Sequence, residues 1–319
     1  MSESTTRLRY EGTGGSLLGL LVGNAILTML TLGIYSFWAR TKVREFHYGH
    51  TDLGGDRFAY HGTGNELLRG YFKAIGIVML FAVALGIASA VTGGEKAPVS
   101  VQFVILATFY VSLFILAVFA VNGARRYRLS RSSWRGIRFS FHGNAEEFAK
   151  ILLRGAALSA LTFGFYSPHF QNQRRAFLVN NSRYGTAPFY YDAGADPLFK
   201  EWFKAFLLTI PTLGIIWVWY TAFQHRYFWS NTGIAGAHFE SNVTGGDILA
   251  LRVTNVLLAI VTLGIAAPWI IARTQAFWAS RLAFVGAVDF ATIHQRAQAS
   301  SATGEGLADS MDVDVGFEM

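Results

Sequence analysis

The chain contains no cysteine, which excludes a disulfide framework, a thiolate metal site and a cysteine nucleophile. Charge is scarce too. Asp, Glu, Lys and Arg make up 15% of the 319 residues, against roughly 25% in an ordinary soluble domain. So few charges cannot cover the apolar mass that is present: 52% of residues are hydrophobic and 15% are aromatic, more than a water-facing surface of this composition keeps dissolved. The formal net charge of +7 is modest, so the location of the cations says more than their sum.

What the sequence does have is long stretches free of charge. Residues 12–39, 74–94, 97–124, 155–173, 205–225 and 253–272 each run for at least 19 residues without Asp, Glu, Lys or Arg. A bilayer core of about 30 Å needs about 20 helical residues. Six such spans predict a mainly α, multi-pass integral membrane protein whose first partner is the lipid bilayer. Residues 1–11 are polar, and the first span is too long for a signal-peptide core, so it is expected to stay as an anchor. Glu305, Asp309, Asp312, Asp314 and Glu318 fall in a stretch, 297–319, with no Lys or Arg. A disordered acidic tail is expected over 295–319.

A recurring pattern organises residues 1–294. Thr31-Leu32-Gly33, Thr162-Phe163-Gly164, Thr212-Leu213-Gly214 and Thr262-Leu263-Gly264 share one motif, and the last three start 50 residues apart. Thirteen residues after each Thr stands Arg44, Arg175, His225 or Gln275, and two further on an aromatic. Ser112 begins a degenerate copy in the same register, with Arg125 at 13 and Tyr127 at 15. Five units are therefore expected, at about 7–56, 57–136 (lengthened by an insertion), 137–187, 188–237 and 238–294. Each reads as a short β-strand followed by a helical pair. Strands are predicted at 7–11, 57–61, 137–142, 189–192, 238–242 and 288–293. Gly-Thr-Gly or similar turns precede the helices, and Glu66, Glu147, Asp196 and Asp247 lie near helix starts, where negative charge suits the dipole. Strands open to lipid would leave backbone groups unpaired. They are expected as a small sheet or strand pairs outside the hydrocarbon, on the cytosolic face.

Two topologies compete. Each Gly-containing break is either the tip of a helical hairpin, with all strands on one face, or a loop between single crossings. Hairpins leave Lys96 alone on the far side and 26 cations with the strands, whereas single crossings divide them 16 to 11. The positive-inside rule favours the lopsided arrangement. Arg40, Lys42 and Arg44 count against it, since they follow a tip closely and must face an interior or snorkel to the headgroups.

The best candidate site is the recurring polar position: Arg44, Arg125, Arg175, His225 with Arg226, and Gln275. Packed about a pseudo-axis, these side chains would line an anion-friendly vestibule; the plainer alternative is that they mark the interface. Arg125, Arg126, Arg128, Arg131, Arg135 and Arg138 form the densest basic cluster, suited to anionic lipid headgroups or to simple orientation. Catalytic, cofactor and metal signals are weak: no nucleophile has a base, no Gly-Lys-Ser/Thr follows the Gly-Thr-Gly turns, and the strand-end histidines His61 and His142 alternate with Glu11, Asp192 and Asn242. Neither an enzyme, a cofactor, a metal site nor a nucleic-acid partner is expected.

The run from Leu30 through Arg40, then Phe46-His47-Tyr48, Thr51-Asp52-Leu53-Gly54-Gly55 and Arg57 through Gly64, resembles the YjgN-like family of bacterial inner-membrane proteins of unknown function. The similarity extends over about residues 7–290. It implies a multi-pass inner-membrane location and brings no catalytic residues. Ser112 and Gln275 depart from the pattern. The expected function is transport or a channel-like role for a small anion or polar solute; the alternative is a membrane organiser that binds anionic lipid through a basic cytosolic face.

Overall fold

The computed structural model describes residues 5–288 and 290–295; the expected acidic tail lies almost wholly outside the described residues. Strand β1 (Thr5–Tyr10) leads into helices α1 (Gly14–Leu30) and α2 (Ser36–Gly49), then β2 (Thr51–Leu53) and β3 (Asp56–Tyr60). The same order follows with α3 (Gly64–Val91), α4 (Val99–Ser130), β4 (Ser132–Trp134) and β5 (Ile137–Phe141). Next come α5 (Ala145–Leu161), α6 (Ser167–Asn180), β6 (Ser182–Tyr184) and β7 (Ala187–Tyr191). Helices α7 (Asp196–Leu208) and α8 (Trp217–Ser230) precede β8 (Thr232–Ile234) and β9 (Ala237–Ser241). The last pair is α9 (Gly245–Val261) and α10 (Ala267–Ser280), followed by β10 (Leu282–Val285).

The strands correct the expected fold class. They form neither a small sheet nor isolated pairs but a closed antiparallel barrel of ten strands, in the order β1-β10-β9-β8-β7-β6-β5-β4-β3-β2. Closure between β10 and β1 pairs Thr5 with Val285 and Arg7 with Ala283. A closed ring leaves no edge with unpaired backbone groups. Five of the six predicted strands are found, each as one arm of a strand pair. The other arm, β2, β4, β6, β8 or β10, spans three or four residues, too few for polarity alternation to show. In the sixth prediction, 288–293, the described residues hold a 3-10 turn at Phe290–Thr292 in place of a strand, and residue 289 lies outside the described residues.

Antiparallel closure decides where everything else goes. The end of β1 and the start of β2 share one rim, where Tyr10 faces Thr51 and the Glu11 N–H bonds the His50 carbonyl at 2.8 Å. Following the alternation around the ring, all five helical pairs leave that rim. The tight strand turns lie on the opposite rim, where Arg135-Gly136 and Ala235-Gly236 take the paired positive φ that a two-residue hairpin requires. Both helices of a pair start or end at the same rim, so each pair is a helical hairpin. The ten helices also close on themselves, each packed against the next and α10 against α1.

At the rim, Thr13, Thr63 and Thr244 cap α1, α3 and α9, with Glu66 and Asp247 completing capping boxes. The first residues of these helices are glycine because an indole lies on each of them. A Cβ on Gly14, Gly64 or Gly245 would come within about 2.5 Å of Trp269, Trp38 or Trp219. The Gly14–Trp269 contact is the one that closes the helical ring.

The Thr-Leu-Gly motif is a helix stop. Gly33 N–H reaches back to Thr28 O at 2.8 Å, and Gly164, Gly214 and Gly264 do the same to Ser159, Thr209 and Ala259, the wrap of a Schellman-type terminus. The Thr hydroxyl then accepts the N–H four residues on, as Thr31 does from Tyr35 at 2.9 Å and Thr162 from Tyr166 at 3.0 Å. The residue between, Leu32, Phe163, Leu213 or Leu263, is left-handed with φ near 50° and at least 90% exposed.

These stops also overturn the expectation of many spanning helices. The helices they bound have 13 to 17 residues, about 20–26 Å at 1.5 Å per residue, short of a 30 Å hydrocarbon layer. Among the described residues only two helices are long and apolar enough to cross: α3 with 28 residues and α4 with 32. In register with the other stops, Phe114 stands where the motif has glycine. Without a residue suited to the left-handed conformation, α4 runs straight through, and its turn moves out to Gly93 and Gly94, both at positive φ.

Candidate functional site: a cationic vestibule above an aromatic barrel

A cavity of about 730 Å³ lies where the helical ring meets the barrel. Its wall comes from the second helix of each hairpin, mainly α2, α6, α8 and α10. Arg44, Arg128, Arg174 and Arg175 line it with His47 and His225. Gln171, Gln224, Thr221, Thr274 and Gln275 add neutral hydrogen-bonding groups. Gln224 donates to Gln171 across the α6–α8 seam.

In three units the recurring polar position meets the strand end sixteen residues later. Arg44 donates to the Tyr60 hydroxyl at 3.3 Å, and its guanidinium is 5.9 Å from that ring's centroid. Arg125 lies 5.7 Å from the Phe141 ring. His225 Nδ1 is 3.0 Å from the Ser241 hydroxyl, with the Trp278 ring 4.6 Å away. Arg175, only 7% exposed, lies over Trp229 at 4.8 Å and Phe228 at 5.6 Å, so aromatic faces support the buried charge. Lower in the wall, the Tyr10 hydroxyl meets His47 Nδ1 at 2.8 Å. Burial pushes the Tyr10 phenol up to about 12; it is a neutral hydrogen-bonding group at ordinary pH, and the formal charge of this wall comes from arginine.

The structure thus gathers Arg44, Arg175, His225 and Gln275 around one cavity. Arg125 faces the barrel interior beneath it. Arg226 turns away and donates to the Val243 carbonyl at 2.5 Å. Arg128, expected in the lipid-facing basic cluster, lines the vestibule instead, and Arg174, Gln171, Gln224 and His47 were missed as vestibule residues by sequence reasoning. Their signal was helical spacing: from Arg175, positions −4 and −1 are Gln171 and Arg174; from His225 they are Thr221 and Gln224; from Arg44, +3 is His47.

The basic cluster is dispersed. Arg131 ion-pairs with Glu66 at 2.5 Å and Arg135 with Asp56 at 2.6 Å. Arg126 donates to the Gly143 carbonyl at 3.2 Å, Arg125 and Arg128 face inward, and the Arg138 N–H bonds Gln295 at 2.7 Å.

Below the vestibule the barrel encloses a second, smaller void of about 180 Å³ walled mostly by aromatic and aliphatic side chains. Leu53, Trp134, Tyr184, Ile234 and Phe284 belong to this core, and Arg125, Arg128 and Arg175 form its ceiling. Burial raises the Tyr184 phenol to about 12; its hydroxyl donates to the Trp134 carbonyl at 2.9 Å. The turn rim is stoppered by the chain after β10. Phe290 meets Trp134 edge-on at 5.1 Å beneath the Arg135 guanidinium at 4.8 Å, Ile293 is buried, and the His294 N–H bonds Thr186 at 3.2 Å.

Fold and site define a class: a single-chain ring of five strand pairs, four of them hairpins and the fifth β1 with β10, and five helical hairpins around a cation-lined vestibule closed at one end. The chain matches the profile of a family described as "Bacterial protein of unknown function (DUF898)" over residues 5–215 and 205–310, and it belongs to that family. It is 31% identical over 133 residues to Inner membrane protein YjgN of Escherichia coli O157:H7, covering 42% of this chain and 30% of that protein. The protein of the same name from Salmonella typhimurium is 29% identical over 134 residues, covering 42% and 31%. The chain therefore spans about a third of the length of the curated relatives it matches. No solved structure matches it.

Proposed function

We propose that this is an inner-membrane protein whose vestibule admits a small anion or polar solute, in a transport or channel-like role. The barrel sits on the cytosolic side, α3 and α4 cross the bilayer, and the four shorter hairpins dip into the near leaflet. Support for the membrane setting comes from the names of the relatives, from the apolar tips, and from the cation count, with Lys96 alone at the far turn. The observation that carries the solute reading is the convergence of four arginines on one cavity of about 730 Å³. In a partly desolvated site such a charge set favours an anion far more than it would in water. The layer of aromatic side chains under the vestibule closes the path toward the turn rim, so passage requires that layer to move.

Anionic-lipid organisation is the less supported reading, because in the basic cluster on which it depends Arg131, Arg135 and Arg126 engage Glu66, Asp56 and a carbonyl, and Arg125 and Arg128 face the cavities. Protein reconstituted in liposomes should pass phosphate or a similar small anion, and Arg44→Ala with Arg175→Ala should cut the flux by tenfold or more. Folded protein that neither binds nor passes any anion tested overturns the proposal.

A further inference from the structure

The two cavities share a wall. Arg128, Arg175 and Trp229 line both the vestibule and the barrel void, as do Leu8, Phe58 and Leu282. One compartment therefore has a cationic storey resting on an apolar one, with the arginines at the boundary. A bare phosphate or chloride would use only the upper part. The lower void has the size and character of apolar cavities that stay dry and take up a benzene-sized guest, for which about 150 Å³ is enough. Its closure by Phe290 and Ile293 limits how far a guest could extend. Ligand sites combine such apolar walls with a few convergent polar groups that fix orientation.

We infer that the vestibule's ligand is an amphipathic anion: a phosphate or carboxylate held by Arg44, Arg128 and Arg175, carrying a compact apolar group, of about the size of one ring, into the barrel among Trp134, Tyr184 and Ile234. This rests on the anion-vestibule reading and adds the second half of the ligand. The headgroup chemistry is common to a water-borne aryl or short-chain acid and to a lipid, and the two sources are separable by experiment.

The test compares inorganic phosphate with phenyl phosphate, which differ by one ring, using protein in neutral-lipid nanodiscs and calorimetric titration. Trp134 and Trp229 in the walls supply a fluorescence readout alongside. Phenyl phosphate should bind at least about tenfold more tightly, the gain expected from burying a ring. Ile234→Phe, which fills the lower void, should abolish that advantage while leaving inorganic phosphate binding unchanged, which also shows that the variant is folded. Equal affinity for the two probes overturns the amphipathic assignment and leaves the anion vestibule standing. A ring advantage that survives Ile234→Phe overturns the placement in the barrel. Failure of both probes to bind overturns the vestibule reading itself. In nanodiscs containing phosphatidic acid, loss of phenyl phosphate binding by competition supports a bilayer lipid as the source, and retained binding supports a soluble ligand.

Discussion

The second helical hairpin and the other four rise from the same rim, yet they end at different heights. Four are stopped by a threonine, a left-handed apolar residue and a glycine. The hairpin of α3 and α4 has Ser112 and Phe114 at those places, and α4 runs on for 32 residues. The deep hairpin thus combines the loss of the glycine stop, since glycine takes the left-handed conformation at no steric cost, with the inserted residues that lengthen α3 and α4. Charge follows the same division. Arg40 and Lys42 sit soon after a shallow tip, while α4 carries no charge until Arg125, near its rim end.

The sharpest way to break this comparison is to ask which tips emerge from the membrane. The absence of native cysteine gives a clean background. A cysteine at Lys96 should react fully with an impermeant maleimide added outside spheroplasts. Cysteines at Leu32, Phe163, Leu213 and Leu263 should stay unlabelled from outside, an all-or-none contrast. Labelling of those four from outside would make every hairpin a spanning one and undo the distinction.

How much of this was legible before the structure follows from the length over which each signal acts. Apolar spans, the glycine stops and the polar position thirteen residues on are local, so spacing alone revealed them. The barrel was not legible. Strands such as Ser132–Trp134 are too short to alternate, and closure depends on β1 meeting β10 from the far end of the chain. The six charge-free spans misled for a related reason. Hydropathy counts residues without asking whether the helix continues, and in four of them it turns back midway. The arginine cluster misled in the opposite sense: adjacent in sequence, its members point to different partners once α4, β4 and β5 diverge.

A second prediction sharpens the comparison at the rim. Glu66 anchors the deep hairpin: it completes the cap of α3, ion-pairs with Arg131, and accepts from Tyr127 at 2.8 Å. Asp247 caps α9, pairs with Arg281 at 3.0 Å and takes its hydroxyl hydrogen bond, at 2.8 Å, from Thr244 of its own cap rather than from another helix. Glu66→Ala should therefore destabilise the protein by about 2 kcal/mol, combining a lost cap with a partly exposed charged pair. Asp247→Ala should cost less. Thermal unfolding in detergent measures both, and equal losses would mean that the two hairpins are anchored alike.

The smallest effect concerns the strand end that feeds the deep hairpin. His61 Nε2 lies 2.8 Å from the Ser133 hydroxyl, and burial, then Arg138 and Arg131, hold its pKa below the usual histidine value. The unfolded chain therefore takes up the proton first as pH falls, so this group's contribution is fully present above about pH 6.5 and declines below it. His61 is exposed to solvent, which keeps the contribution small. Melting temperature followed from pH 7.5 to 5 should fall slightly less steeply in His61→Gln than in the parent. The equivalent strand end before α9, Ser241-Asn242, has no titratable group, so Asn242→Gln should leave the slope of the parent unchanged. A steeper slope in His61→Gln would reverse the sign of the argument and point to a protonated histidine paired with the neighbouring Glu45, whose charge acts to raise its pKa.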